Sequence, residues 1–436
     1  MNFSELPSQI SRIINIWKQR NLTFFGKITL IKSLLLSKLT YKATMLSVPP
    51  QIVTEIKTIV FRFLWNSKDK IKRKVVCNEF KRGGLRMVDI DNMIKSLKLT
   101  WISRLVASEK RPWKNYLQQA LQKAGGYKLF LRSNYDISRR KDLSLSSFYL
   151  EALKYWKDLR DQCIINNDEL IWNNKNILVN NFPVFYKNFS RIGINSLQDL
   201  FPISRETTAR EAFDFWVKKG LNKNCLTFYK FLVLRQVARV RRNCLENANM
   251  YDNNENDPIL IRSKHSDFFR NVSIFKAKHY YNILKEITAI TIPTRWTKLK
   301  SDFNLSDEDL ESVYGLPFNT TNENKLREMQ FKILNFIVAT NCYLKKVKIK
   351  DNDLCDFCKI EKEDVYHLFY ECNVVRKFWR EFECYWNIKT GHPLKLSLKE
   401  IILGKTDLQG DLLNYCILVA KQYILTSKSN YAPPPF

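Results

Sequence analysis

Cys355-Asp-Phe-Cys-Lys-Ile-Glu-Lys-Glu-Asp-Val-Tyr-His-Leu-Phe-Tyr-Glu-Cys372 is the stretch on which the reading of this chain turns. Zinc takes thiolate and imidazole ligands in a tetrahedron, and a Cys-x2-Cys turn presents two sulfurs to one ion without straining the backbone. Cys355 and Cys358 supply that turn, His367 follows after eight residues and Cys372 after four more. A His and a Cys five positions apart can share a short helix or its end and face one point. With 4 histidines and 10 cysteines in 436 residues, three Cys and one His within 18 positions are a poor product of chance. Four filled ligand positions leave no open coordination site, so the expected Zn2+ is structural rather than catalytic. Cys384 and His392 stand close enough in sequence to be substitute ligands.

Phe357, Tyr366, Phe369, Tyr370, Phe378 and Trp379 surround this stretch, with Arg376, Lys377 and Arg380 just beyond. Small knuckles grip single strands by stacking bases on aromatics while cations hold phosphates. The plainer account makes most of these aromatics a mini-core. We favour core for the aromatics and nucleic-acid contact for the three cations.

Working outward, 436 residues exceed the roughly 250 to 300 at which one hydrophobic core stops growing, so two or three domains are expected. An apolar fraction of 45% with 13% aromatics is enough to build them. The 72 Lys and Arg against 43 Asp and Glu give +29. Residues 1–120 hold 23 basic and 7 acidic side chains, an excess of +16. A field of that size draws polyanions, and each neutralised phosphate releases counterions, so nucleic acid (RNA or DNA) is the leading partner and salt should weaken binding. No run reaches the ~18 uninterrupted apolar residues of a membrane span. The most apolar stretch, 28–48, is broken by Lys32, Lys38 and Lys42, and no membrane partner is expected. The start MNFSELPSQI lacks a signal-peptide pattern, which places the chain inside the cell, in nucleus or cytoplasm, with its cysteines as thiols or metal ligands.

The pattern predicts a mainly α fold. An apolar stretch over 26–46, interleaved with Lys27, Lys32, Lys38 and Lys42, ends at Pro49-Pro50. Ile52, Ile56, Ile59, Val60, Phe63 and Leu64 then recur at helical spacing up to about Asn66. Lys68-Asp-Lys-Ile-Lys-Arg-Lys74 sets Lys68, Lys70, Lys72, Arg73 and Lys74 within seven residues, ahead of a Gly83-Gly84 turn. A further helix carries Ile90, Met93, Ile94, Leu97, Trp101 and Leu105 on one face. The middle shows helical patches near 150–159, 211–218 and 228–240, and the Asn-rich segment 247–258 is the best linker candidate. Ser306 to Asp309 reads as a capping box, and we assign the acidic group Asp307, Glu308, Asp309 and Glu311 to the dipole of that helix start rather than to a metal. His265 and His279 lack Cys or Ser partners and read as surface or satisfied core residues. The end, Tyr431-Ala-Pro-Pro-Pro-Phe436, is expected to be an extended tail.

Trp17-Lys-Gln-Arg-Asn-Leu-Thr-Phe-Phe-Gly-Lys-Ile-Thr-Leu-Ile-Lys32, Phe61-Arg-Phe-Leu-Trp65, Gly83-Gly-Leu85 and Trp101-Ile-Ser-Arg-Leu105 resemble the region just after the polymerase palm in LINE-type (non-LTR) retrotransposon reverse transcriptases. Gln330-Phe-Lys-Ile-Leu334, His367-Leu-Phe369 and Trp379, with the four ligands, resemble the zinc-binding domain at the C-terminal end of the same enzymes. The resemblance covers residues 10–110 and 325–380, and between them extends only to Trp172 and Gly193-Ile194. It implies a thumb-like basic helical domain over 1–124, a helical connector over 125–290, and a C-terminal domain over 291–436 whose zinc knuckle, 355–372, helps engage RNA. Lys27, Lys32, Lys68, Lys70, Lys72, Arg73 and Lys74 are the candidate nucleic-acid contacts of this region; the loop 68–74 reads alternatively as a nuclear-localisation-like patch or a solvated loop, and its place between two thumb-like helices raises the case for nucleic acid.

A polymerase needs paired aspartates to hold two metal ions, and no Asp-Asp pair occurs in this sequence. The 64 residues after Cys372 contain no recognisable nuclease motif. We therefore expect a noncatalytic, nucleic-acid-binding part of a reverse transcriptase, whose palm and fingers would precede residue 1 and be its partner. The alternatives are a zinc-stabilised protein-interaction module, or part of an active RNA-directed DNA polymerase with its palm lost from the gene reading.

Overall fold

The computed structural model describes residues 3–122, 126–132, 145–165, 170–174, 177–202, 204, 206–243, 258–263, 268–288, 291–405, 411–430 and 434. Residues 247–257 of the expected linker, His265, and all of the 431–436 tail except Pro434 lie outside these. The fold is mainly α, with two small antiparallel sheets.

The N-terminal helices form where the sequence marks them. Thr23 accepts a hydrogen bond from Gly26 N (3.3 Å) and caps helix Phe24–Leu30, which continues through a π-helical turn, Ile31–Leu35, into Leu36–Met45. Pro50 opens the next helix, Pro50–Trp65, at a position where its missing N–H costs nothing. That helix buries Ile56, Val60, Phe63 and Leu64 and packs on Leu6–Lys18.

By contact the chain divides into two compact units, each interleaved in sequence: Met1–Lys38, Pro50–Asp89 and Ile290–Phe436 make the first, Leu39–Pro49 and Ile90–Ala289 the second. This is a different division from three consecutive regions.

The first unit carries the main core. Trp296, Leu310, Met329, Phe369, Trp379, Ile417 and Ile424 are among its buried members. Phe80 stacks on Phe318 at 4.0 Å, with Phe25 edge-on to both, and Glu328 accepts a hydrogen bond from Phe24 N at 2.7 Å. The helices that read as thumb-like thus share a core with the metal-bearing segment. The capping box at Ser306 is present: Asp309 accepts from Ser306 N at 2.9 Å, which holds its carboxyl below the usual range. Asp307 pairs with Lys300 and Glu311 with Arg82.

In the second unit, helix Ile90–Val106 is flanked by Ala277–Ile287 and Ser147–Arg160. The expected single apolar stripe is too narrow a description, because Asn92, Ser96, Lys98 and Ser103 are buried as well. Ser103 meets the Tyr280 hydroxyl at 2.6 Å. The helical patches of the middle extend to Ser147–Arg160, Ala209–Lys218 and Cys225–Asn243. Cys163–Ile165, Leu260–Ser263 and Arg270–Asn271 form one sheet, and Leu178–Val179 with Phe182–Pro183 the other. Strands this short give no readable alternation. Asn180 and Asn181, with φ of 52° and 65°, make the two-residue turn that joins Leu178–Val179 to Phe182–Pro183. Trp172 Nε1 donates to Ile194 O at 2.8 Å, so the two points of resemblance in the middle of the chain meet. His279 Nδ1 accepts from Lys276 N at 2.9 Å and its ring stacks on Phe275.

Candidate metal centre

The turn that carries the candidate ligands is built locally. Leu354 bridges Lys362 in antiparallel fashion, Cys355 N donates to Glu361 O at 2.8 Å, and Glu363 N to Asp353 O at 2.8 Å. Inside this hairpin Lys359, at φ 60°, reverses the chain and its N–H reaches Cys355 O at 3.0 Å. Phe357 N donates to Cys355 Sγ at 3.4 Å. Asp364 then accepts from His367 N at 2.8 Å and starts a π-helical turn, His367–Glu371. Cys372 N donates to His367 O at 3.0 Å, which is how a His and a Cys five apart come to face the same point. Cys372 directly precedes helix Asn373–Thr390, where the positive helix end favours a thiolate.

The ligand atoms of Cys355, Cys358, His367 and Cys372 lie within 4.8 Å of one another. Cys355 and Cys372 Sγ are 3.9 Å apart, and Cys358 Sγ is 3.4 Å from His367 Nε2. A tetrahedron with zinc's usual bond lengths has edges of about 3.8 Å between sulfurs and about 3.6 Å between sulfur and nitrogen. Cys355, His367 and Cys372 are buried, and Cys358 half-buried. The hydrogen bond between the paired thiols, with burial, raises the Cys355 pKa; the same bond lowers that of Cys372. Binding of a divalent cation at such a pair requires both thiols to release their protons. The donor set fits zinc and closes its coordination. Cys384 and His392 are exposed and outside the cluster.

One contributor was missed in the sequence. Glu361 Oε2 lies 3.0 Å from His367 Nδ1, on the ring side away from the sulfurs, the arrangement by which a carboxylate fixes a metal-binding imidazole. Its signal was an acidic residue within the Cys-to-His interval. Of the surrounding aromatics, Phe369, Phe378 and Trp379 are buried, and Trp379 Nε1 donates to Phe369 O at 2.7 Å. Phe357, Tyr366 and Tyr370 remain half-buried.

The expected cationic residues are dispersed. Lys27 is a correction: it is buried, and its Nζ donates to Leu64 O at 3.2 Å and Asn66 Oδ1 at 2.8 Å, which ties down the end of helix Pro50–Trp65 and removes it from a solvent-facing set. Burial lowers its pKa, with Lys332 and Lys70 adding repulsion against the attraction of Glu328. Lys32, Lys68, Lys70, Lys72 and Lys74 are exposed. Arg73 pairs with Asp69 at 2.7 Å and covers the Phe61 ring. Arg376, Lys377 and Arg380 line an exposed face of helix Asn373–Thr390, Arg376 over Tyr370.

Two clefts meet at Lys68. One, of about 850 Å³, has Lys18, Arg62 and Arg73 in its walls. The other, of about 860 Å³, joins Lys68 and Lys70 to Arg295, Lys298, Tyr343 and Lys346. Sequence reasoning passed over Arg295, Lys298, Tyr343 and Lys346; of the lysines in the run Lys345-Lys-Val-Lys-Ile-Lys350 only Lys346 lines the cleft, and Arg295 and Lys298 carry no local signal. No helix among the described residues is long and apolar enough to cross a membrane.

Residues 296–379, which contain all four ligands, match the family described as zinc-binding in reverse transcriptase. Over 125 residues the chain is also 27% identical to a protein of Arabidopsis thaliana named as a ribonuclease H protein, a span of 27% of this chain and 20% of that relative. The chain thus corresponds to about a fifth of that protein's length. Its metal-bearing segment is similar to the zinc-binding domain of reverse transcriptases, and both matches fit a retrotransposon-derived protein.

Proposed function

We propose that the chain is a nucleic-acid-binding, noncatalytic part of a LINE-type reverse transcriptase, acting inside the cell, with thumb-like helices that hold template and primer and a structural zinc centre that shapes the RNA-engaging end. The observation that carries this reading is the convergence of Lys68, Lys70, Lys298 and Lys346 on one cleft, within the same compact unit as the Cys3His cluster. A structural role for the metal follows from its four protein ligands, which leave no position for a substrate or water. The absence of an Asp-Asp pair from the sequence supports binding rather than polymerisation, and palm and fingers are the partner such a part requires. Binding of RNA and DNA oligonucleotides measured against salt tests the proposal: affinity should fall steeply as salt rises, and a flat dependence would overturn it.

Exposed Val347, Ile349, Leu354 and Ile360 flank the metal turn and favour a second reading, a zinc-stabilised protein-interaction module. In that case alanine at Lys70, Lys72, Arg73 and Lys74 leaves RNA binding unchanged.

A further inference from the structure

We propose that the cleft between Lys68–Lys70 and the metal-bearing segment seats a single strand, with an unpaired base against Tyr343 and backbone phosphates on Lys68, Lys70, Arg295, Lys298 and Lys346. This rests on the nucleic-acid reading above and adds the strand state and the residues.

Chemistry favours a single strand over a duplex. Tyr343 and Phe336 both line the cleft and are half-buried, so each ring is fixed on one side and faces the opening with part of its surface. Lys70 Nζ stands 6.0 Å from the Tyr343 ring centre, and Lys298 Nζ is 4.4 Å from Phe336 and 5.3 Å from Tyr366. Each ammonium group lies over a ring face on a flexible stem, so a base that stacks there meets a cation within reach of its own phosphate. In a duplex the base faces are covered by their neighbours, and only an unpaired base can use an aromatic ring. Phe336, at φ 53°, packs its ring edge-on against Tyr366 with Lys298 over its face.

Two carboxylates also line the cleft, and both are engaged. Asp69 pairs with Arg73 at 2.7 Å. Asp364 accepts the His367 amide at 2.8 Å. The second contact makes the metal turn part of the cleft wall, since Asp364 and Val365 both line it. Although Lys70 is exposed at the surface, the protein around its ammonium group displaces part of its water and lowers its pKa, reinforced by Lys332 and opposed by Glu328. An arriving phosphate would relieve that repulsion.

The test uses the full, zinc-loaded chain and fluorescence anisotropy with labelled oligouridylate, oligothymidylate and a hairpin duplex. Tyr343→Ala should weaken binding of one or both single strands at least about five-fold and leave the duplex little changed. Tyr343→Phe, which keeps the ring, should bind as wild type. Arg295→Ala with Lys298→Ala should flatten the salt dependence for the single strand by about 1.4 in slope, two phosphates' worth. Zinc content and the melting temperature of each variant show whether it is folded. Full-strength single-strand binding by folded Tyr343→Ala and by the Arg295/Lys298 double variant overturns the seat while leaving nucleic-acid binding intact. Equal losses on strand and duplex overturn the single-strand assignment. Failure of the wild type to bind any of the three probes overturns the broader reading instead.

Discussion

Glu361 Oε2 sits 3.0 Å from Nδ1 of His367, while Nε2 of the same ring faces Cys358 Sγ at 3.4 Å. The carboxylate selects the tautomer that leaves Nε2 free for a metal and holds the ring plane in place. Glu361→Gln should keep the fold and loosen zinc by roughly ten-fold. Competition with a chromophoric chelator measures this, and unchanged affinity would show that the contact is incidental.

Replacing both Cys355 and Cys358 by serine removes half of the ligand set, one member of which is fully buried. Wild type should carry one zinc per chain by elemental analysis, and the double variant none, with a lowered melting temperature. Retention of both metal and melting temperature would refute the centre.

Lys428 reaches the fully buried Glu363 from the C-terminal helix Asp411–Ser429 and also meets Asn341 Oδ1 at 3.1 Å. Glu363 in turn accepts from Asn341 N at 2.9 Å and Asp356 N at 3.2 Å, so this pair fastens the helix to the metal turn. Lys428→Met strands a buried carboxylate and should cost about 3 kcal/mol in denaturant titration. Adding Glu363→Gln should recover part of that loss. A double variant no more stable than Lys428→Met would mean that the charge itself is not the source of the cost.

Lys421 is fully enclosed, donating to Gln330 Oε1 at 2.6 Å and Ile401 O at 2.9 Å, and burial lowers its pKa from 10.5 to about 7. Between these two values the unfolded chain binds the proton that the folded chain has released, so stability rises with pH across that window. From pH 7 to 9 wild type should gain on the order of 2 kcal/mol relative to Lys421→Met, whose response at this site is flat. Parallel pH profiles for the two proteins would contradict a neutral buried amine.

A Cβ added at Gly84 would lie 2.1 Å from the carbonyl oxygen of Asn78, so Gly84→Ala must displace backbone. A loss of about 2 kcal/mol or more is expected, read as a shift in the urea midpoint.

The N-terminal helices, the Ser306 capping box and the metal turn were legible because each is encoded by neighbours in the chain. Thr23 caps helix Phe24–Leu30 through the N–H of Gly26, three positions on, with no distant contact needed. The small sheets were not legible: Cys163 pairs with Ser263 across a hundred residues, through strands too short to show a period. Lys27 was misplaced because a lysine in an apolar run looks the same whether it emerges into solvent or turns inward to a carbonyl.

By itself the sequence determined the mainly α fold, the excess of positive charge and the clustering of Cys355, Cys358, His367 and Cys372, since spacing within 18 residues fixes what one hairpin and one helical turn can bring together. Tertiary structure alone decided which lysines are spent inside the protein, as Lys27, Lys421 and Lys428 are, and which face a cleft, as Lys70 and Lys298 do. The physical reason is distance along the chain: burial and pairing between residues well beyond one helix or turn, such as Lys27 with Leu64, Lys421 with Gln330 and Lys428 with Glu363, leave no pattern in either segment alone, and are set only when the core closes around them.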